Sequence, residues 1–131
     1  MLEDIFPHSI VVRLKSGEVE IADNIEDASV LFCDIVGFSS MATTMSAGQV
    51  AVILNKLFSG YDGLTLSSGV EKIKTIGDAY MVGANISIPN KLHAESCVEM
   101  AFSMLKVTEQ VSKELGREIK VRYFFFQLET K

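Results

Sequence analysis

The 131-residue sequence has no tryptophan, two prolines and two cysteines, and its 12 Lys and Arg are outnumbered by 17 Asp and Glu. Each shortage excludes something. Cys33 and Cys97 cannot build a disulfide framework, and their spacing is not that of a zinc site. Both stand in apolar stretches, which reads as two buried thiols in a reducing compartment. A net charge of −5, with no run of Lys or Arg, leaves no basic stripe for nucleic acid. No apolar run approaches the ~20 residues of a membrane-spanning helix, and no basic-then-apolar leader opens the chain. The expectation is a soluble, cytoplasmic protein. Apolar residues make up 48% and charged residues 22%, an ordinary globular composition with enough length for one core.

What the sequence does hold is a carboxylate at the end of an apolar run. In Val30-Leu-Phe-Cys-Asp-Ile-Val-Gly-Phe-Ser39 the apolar residues lead up to Asp34 and break at Gly37. This reads as a buried strand that delivers one acid to its carboxyl end, followed by a turn whose N–H groups can face an anion. A second acid, Asp78 in Thr75-Ile-Gly-Asp-Ala-Tyr80, has a similar setting.

The rest of the chain supplies the frame for these acids. Residues 1–26 read as a helical lead-in and connector: two helical pieces broken by Pro7, with Ser9 as a cap and Gly17 as a stop. Residues 27–131 form the main domain. After the first strand, Ser46 and Gln49 make a capping box, and Val50, Leu54, Leu57, Phe58, Tyr61 and Leu64 follow at helical spacing. Val70 to Asn85 reads as a hairpin centred on Gly77, with Val70, Ile73 and Ile76 inward and Lys72 and Lys74 sharing the other face. Pro89 and Asn90 open a second helix lined by Ala94, Cys97, Val98, Ala101, Leu105, Thr108 and Val111, which Gly116 stops. His8 and His93 have no partner at ligand spacing and read as surface or capping residues. Ile119, Val121 and Tyr123 alternate with Lys120 and Arg122 in a last strand that runs into Phe124-Phe-Phe126.

The order strand, helix, strand, strand, helix, strand is the split βαβ pattern of a ferredoxin-like α+β fold, an antiparallel sheet with helices on one face. In that fold the first and third strands are neighbours, so Asp34 and Asp78 meet at one edge. Two readings of the acids stand at this point. Hard carboxylate oxygens so placed suit Mg²⁺ or Mn²⁺ with a phosphate ligand. Equally, Asp34 can cap its turn and Asp78 can be the turn residue of a hairpin.

The segments Phe32-Cys-Asp-Ile-Val-Gly-Phe-Ser39 and Val70-Glu-Lys-Ile-Lys-Thr-Ile-Gly-Asp-Ala-Tyr-Met81 closely resemble the two metal-site segments of class III adenylyl/guanylyl cyclase catalytic domains. The resemblance extends to Ile5-Phe-Pro-His-Ser-Ile10, the Gln49–Phe58 helix and His93-Ala-Glu95, and covers the chain from Leu2 to Arg122. It implies conversion of a purine nucleoside triphosphate to a 3′,5′-cyclic nucleotide and pyrophosphate, in intracellular signalling. It further implies that Asp34 and Asp78 are the catalytic aspartates that hold a pair of Mg²⁺ or Mn²⁺ ions, with the Ile35 carbonyl as a further metal contact. Ile35, Val36, Gly37, Phe38 and Ser39 match the triphosphate-binding turn. Lys74 matches the purine-selecting position, where a guanylyl cyclase usually carries an acid. Lysine can donate to adenine N1, an acceptor, whereas guanine N1–H and N2–H require an acceptor. Lys74 therefore favours ATP over GTP, against the bland alternative of a solvated lysine on a strand face. The site in this family forms between two domains, so the implied partner is a second cyclase domain in a homodimer or heterodimer. The implied location is the cytoplasm, either free or as part of a membrane-anchored receptor.

The resemblance stops after Val121-Arg122. The family continues into a glycine-containing strand and a stretch that carries the second purine-selecting residue and the asparagine and arginine that steady ribose and transition state. Here the chain reads Tyr123-Phe-Phe-Phe-Gln-Leu-Glu-Thr-Lys131, and Arg122 lies too early to replace that arginine. A preorganised cationic donor is worth a few kcal/mol at a transition state. The expectation is a cyclase domain lacking its C-terminal part and weakly active alone. The alternatives are a metal–nucleotide binding or dimerisation module, a guanylate cyclase, or a relative of diguanylate cyclases and polymerase palms. Gly77-Asp-Ala-Tyr80, in place of a Gly-Gly-Asp/Glu-Glu-Phe hairpin, counts against the last. An uncovered aromatic edge at Tyr123–Phe126 is expected to pair or aggregate.

Overall fold

The computed structural model describes residues 27–129, so the expected helical lead-in lies outside the described residues. The elements run β1 (Asp27–Ile35), α1 (Phe38–Thr43), α2 (Ala47–Thr65), β2 (Glu71–Ile76), β3 (Ala79–Ala84), α3 (His93–Leu115) and β4 (Val121–Glu129). The strands form one sheet in the order β2-β3-β1-β4, and every neighbouring pair is antiparallel. This is the expected split βαβ arrangement, an α+β fold in which β3 slots between β1 and β2.

The core follows from alternation on the strands and helical spacing on α2 and α3. Leu31, Cys33 and Ile35 of β1 and Tyr80 and Val82 of β3 pack in one cluster with Ile53, Leu57 and Tyr61 of α2 and Met100, Met104 and Val111 of α3. The capping box forms as the sequence indicates: Gln49 N–H donates to Ser46 Oγ at 3.2 Å and Ser46 N–H to Gln49 Oε1 at 3.0 Å. The two long helices can approach closely because residue 60 is glycine. A Cβ there would sit 2.5 Å from Val107 Cγ1.

The polar groups in this core are paired. Thr108 gives its hydroxyl proton to Met104 O at 2.8 Å, so the Tyr61 hydroxyl donates to Thr108 Oγ1, 2.6 Å away. The Tyr80 hydroxyl donates to Asp62 Oδ1 at 2.6 Å, and Lys72 Nζ lies 2.9 Å from the same carboxylate and over the Tyr80 ring. Burial pushes the Tyr61 and Tyr80 hydroxyls above the usual phenol range. Burial also pushes Cys33 up to about 12 and Cys97 to about 11, so both thiols stay protonated at neutral pH, as two inert buried cysteines should.

Several sequence expectations shift. The α3 face turned inward is His93, Cys97, Met100, Ala101, Met104, Thr108 and Val111, while Val98 and Leu105 are exposed on its flank. His93 is buried rather than on the surface, its Nδ1 2.6 Å from Ser29 Oγ, because the first turn of α3 sits on the far end of β1. Asn90 organises the loop before the helix, donating to Gly69 O and Ser96 Oγ and accepting from Leu92 N–H, and α3 begins three residues later. Lys72 and Lys74 do not share a face. A bulge between them sets Lys72 opposite Val82, on the helix side, and Lys74 opposite Met81, on the open side. Ile76 is correspondingly exposed.

Strand β4 forms one edge of the sheet, and among the described residues nothing pairs with its outer side. Phe124, Phe125 and Phe126 remain 48–52% exposed, and Phe126 meets Phe32 edge-on at 5.7 Å across the open face. An apolar strand with a free row of N–H and C=O groups templates pairing with another strand. The domain should therefore self-associate as its concentration rises, and Phe124→Lys should reduce that association. Light scattering coupled to size exclusion checks this, and a monomer at all concentrations would count against it.

Candidate active site

The site grows from the alternation on β1. Leu31, Cys33 and Ile35 point to the helices, which leaves Phe32 and Asp34 on the open face of the sheet. Cys33 and Tyr80 form the last β1–β3 pair, and beyond it the β2–β3 hairpin presents Asp78 just after Gly77. The Ile35 N–H donates to Asp78 Oδ2 at 3.0 Å, so Asp78 is tied to the residue that follows Asp34. Two acids far apart in sequence thus stand at adjacent strand ends. Both carboxylates lie close enough to Cys33 to add to the upward shift of its thiol, after burial.

On the other side of β1, Asp34 is the register partner of Arg122, and Arg122 Nε donates to Asp34 Oδ1 at 2.7 Å. Asp34 is 24% exposed and Arg122 57%. Sequence reasoning misses this role of Arg122 because no local spacing links it to Asp34. The available signal is parity: once β1 and β4 pair, Asp34 and Arg122 both alternate away from the core-facing Ile35 and Tyr123.

The turn after β1 is partly committed to the fold. Ile35 N–H is held by Asp78, and Val36 N–H donates to Lys120 O at 2.8 Å. Gly37 adopts φ +69°, a left-handed conformation that favours glycine, and caps α1, whose presence in this small-residue stretch the sequence did not indicate. Met41 N–H returns to Gly37 O at 3.0 Å. The Phe38 and Ser39 amides stand in the first turn of α1, where helical N–H groups have no intrahelical acceptor. Of the five turn residues, Gly37, Phe38 and Ser39 keep amides uncommitted among the described residues.

Lys74 shares the open face with Asp34 but stands on β2, two strands away in the sheet order, roughly 10 Å across the sheet. The structure therefore brings together Asp34, Asp78 and the Ile35–Ser39 turn and holds Lys74 apart from them. His93 and Ser29 lie toward the opposite end of β1 and take no part.

No group of three or more His, Cys, Asp or Glu gathers around a point among the described residues. The side chains offered to a cation are the Asp34 and Asp78 carboxylates, hard oxygen donors that leave most of a coordination sphere for water and phosphate. That donor set fits Mg²⁺ or Mn²⁺, which are held by one or two carboxylates plus substrate phosphates, and does not fit a zinc cage.

Fold and site define a two-carboxylate domain on a split βαβ sheet, with both acids at neighbouring strand ends beside an open turn. The chain belongs to the adenylate and guanylate cyclase catalytic domain family, whose model matches residues 20–123. It is 37% identical over 123 residues to an adenylate cyclase of Mycobacterium bovis, covering 93% of this chain and 28% of that protein. It is 38% identical over 107 residues to atrial natriuretic peptide receptor 2 of Anguilla japonica, covering 81% of this chain and 10% of the receptor. The guanylate cyclase domain of RhGC from Catenaria anguillulae, solved in complex with GTP, superposes with a TM-score of 0.75 at 28% identity, covering 81% of this chain and 58% of that one. The adenylyl cyclase CyaB from P. aeruginosa shares the fold at a TM-score of 0.71 and 22% identity, over 78% of this chain and 56% of that one. The chain thus spans less than a third of these curated relatives and little more than half of these solved domains. Among the described residues, no helix is long and apolar enough to cross a membrane.

Proposed function

We propose that this domain supplies the metal–triphosphate half of a nucleotide cyclase site and takes ATP in preference to GTP. The product is a 3′,5′-cyclic nucleotide with release of pyrophosphate, and a second cyclase domain completes the site. The observation that carries this reading is the convergence of Asp34 and Asp78 at adjacent strand ends, with Asp78 fixed by the Ile35 amide. In this reading Asp34, Asp78 and the Ile35 carbonyl hold Mg²⁺ or Mn²⁺. When bound, such ions lower the pKa of the attacking ribose hydroxyl and neutralise charge on the leaving pyrophosphate.

The chain's own residues do the positioning. The hydrogen bond from Ile35 fixes the orientation of Asp78, and the Gly37–Ser39 amides are placed to receive phosphate oxygens. Lys74, on the open face with Asp34, is the purine donor for a nucleotide shared with the partner. The partner in this reading is a second cyclase domain, in a homodimer or heterodimer. The guanylyl cyclase domain of RhoGC from Blastocladiella emersonii, 28% identical, has been solved both as a monomer and as a non-canonical dimer. The domains named in the comparisons take both purines, and Lys74 is what favours ATP here.

The test is thermal unfolding of the purified chain with Mn²⁺ and either ATP or GTP, together with chromatography of the products. ATP should raise the Tm more than GTP does. A ligand at a hundred times its Kd contributes about 2.7 kcal/mol. Lys74→Glu should reverse the order of the two nucleotides. If neither nucleotide stabilises the domain, the reading fails. Stabilisation without product would assign the isolated chain to metal–nucleotide binding or dimerisation instead.

A further inference from the structure

We infer that Arg122 is a built-in competitor for the divalent cation: its guanidinium occupies Asp34 when no cation is bound, and must give up Oδ1 when one binds there. This rests on the reading of Asp34 as a metal ligand. The contact is specific and nonlocal. Asp34 and Arg122 are direct register partners on β1 and β4, 88 residues apart in sequence, with Nε at 2.7 Å from Oδ1. Their placement opposite each other is set by the same nine-pair ladder that holds β1 to β4, from Asp27↔Glu129 to Ile35↔Val121. The other acid is held differently. Asp78 receives a backbone N–H from Ile35, a neutral donor that orients the carboxylate and leaves its charge available. One carboxylate of the pair is thus poised, and the other is occupied by a side-chain cation.

A cation that must first open an ion pair binds with its intrinsic affinity reduced by the fraction of sites that are open. Asp34 is mostly covered, while the exposed Arg122 can swing into solvent once displaced. The size of the effect follows from the strength of a partly exposed pair, about two- to five-fold in an equilibrium constant. The arrangement keeps Asp34 ordered and charge-compensated without metal, and it places a guanidinium at the cation site that is freed when the cation arrives.

The test is Mn²⁺ binding by the full chain, read as loss of the free-ion electron paramagnetic resonance signal, with no nucleotide and no turnover. Arg122→Gln should bind Mn²⁺ about two- to five-fold more tightly than the unmodified chain. Lys120→Gln is the control for simple charge removal. Lys120 is close in sequence and 71% exposed, and its ammonium is paired with Glu118 at 3.3 Å rather than with Asp34. It should change the affinity less than Arg122→Gln does. In parallel, the ¹⁵Nε resonance of Arg122 should move on addition of Mg²⁺, toward its position in metal-free Asp34→Asn. Equal affinities for Arg122→Gln and the unmodified chain, or an equal gain in Lys120→Gln, would overturn the inference and leave the metal site standing. If Asp34→Asn binds Mn²⁺ as well as the unmodified chain, or no variant binds it, the metal-site reading falls and the competition falls with it.

Discussion

Asp34→Ala should abolish the Mn²⁺-dependent stabilisation of this domain by ATP and reduce any cyclic-nucleotide yield about a hundredfold or more, while leaving the ligand-free fold almost as stable as before. The first half follows from chemistry. A metal ligand that supplies several kcal/mol of charge stabilisation at the transition state removes roughly a factor of ten in rate for each 1.4 kcal/mol lost. The second half follows from the structure. Asp34 pairs with Arg122, itself more than half exposed, and such a pair contributes about 1 kcal/mol at most. Asp78→Ala should separate the two acids experimentally. It removes the acceptor of the part-buried Ile35 N–H as well as a metal ligand, so the ligand-free domain should lose about 1–3 kcal/mol. Asp78→Asn retains an acceptor oxygen for Ile35 and should recover most of that stability without recovering the nucleotide effect. Thermal unfolding with and without Mn²⁺–ATP checks all three variants. Undiminished stabilisation of Asp34→Ala by the nucleotide would remove Asp34 from the site.

The largest effect on folding should come from Leu57→Ala. Leu57 is fully buried, in the middle of α2, and its cluster joins both long helices to β1 and β3. Truncation removes buried methyl groups and leaves a cavity that a close-packed core fills only in part, at a cost of about 2–5 kcal/mol. For a domain of this size that lowers the Tm by about 10 °C or more. Leu66→Ala, just past the end of the same helix, is the internal comparison. Leu66 is 89% exposed, and its truncation should cost less than about 0.5 kcal/mol. Urea unfolding of the two variants checks the contrast. Equal losses would mean that the core is not organised around α2 as described.

The parts of this architecture that are local are legible from residue patterns. Ser46 and Gln49 announce the start of α2 because a capping box needs only a three-residue spacing, and both of its hydrogen bonds form. Gly77 followed by Asp78 marks the hairpin, and an apolar run that ends at Asp34 marks the first strand. The α3 stripe expected from periodicity lies slightly off the observed axis. Val98 and Leu105 satisfy a helical period as well as Met100 and Met104 do, and only the position of the sheet decides which pair is covered. His93 departs from its expected surface position for a similar reason. Nothing near it in sequence shows that the first turn of α3 lands on Ser29, 64 residues earlier.

By itself the sequence determined the order of the four strands and the two long helices, the two acids at strand ends and the turn beside them, since periodicity, caps and turn residues act over a few positions. The short α1 escaped it. Tertiary structure alone decided the rest. A bulge in β2 sends Lys72 to Asp62 and Lys74 to the open face, although strict alternation puts both lysines on one side. The register of β1 against β4 sets Arg122 on Asp34, and the β1–β3 pairing lets the Ile35 amide reach Asp78. Register is a relation between distant segments, fixed by the packing of whole strand faces and shifted by a single extra residue, so no short window of sequence contains it.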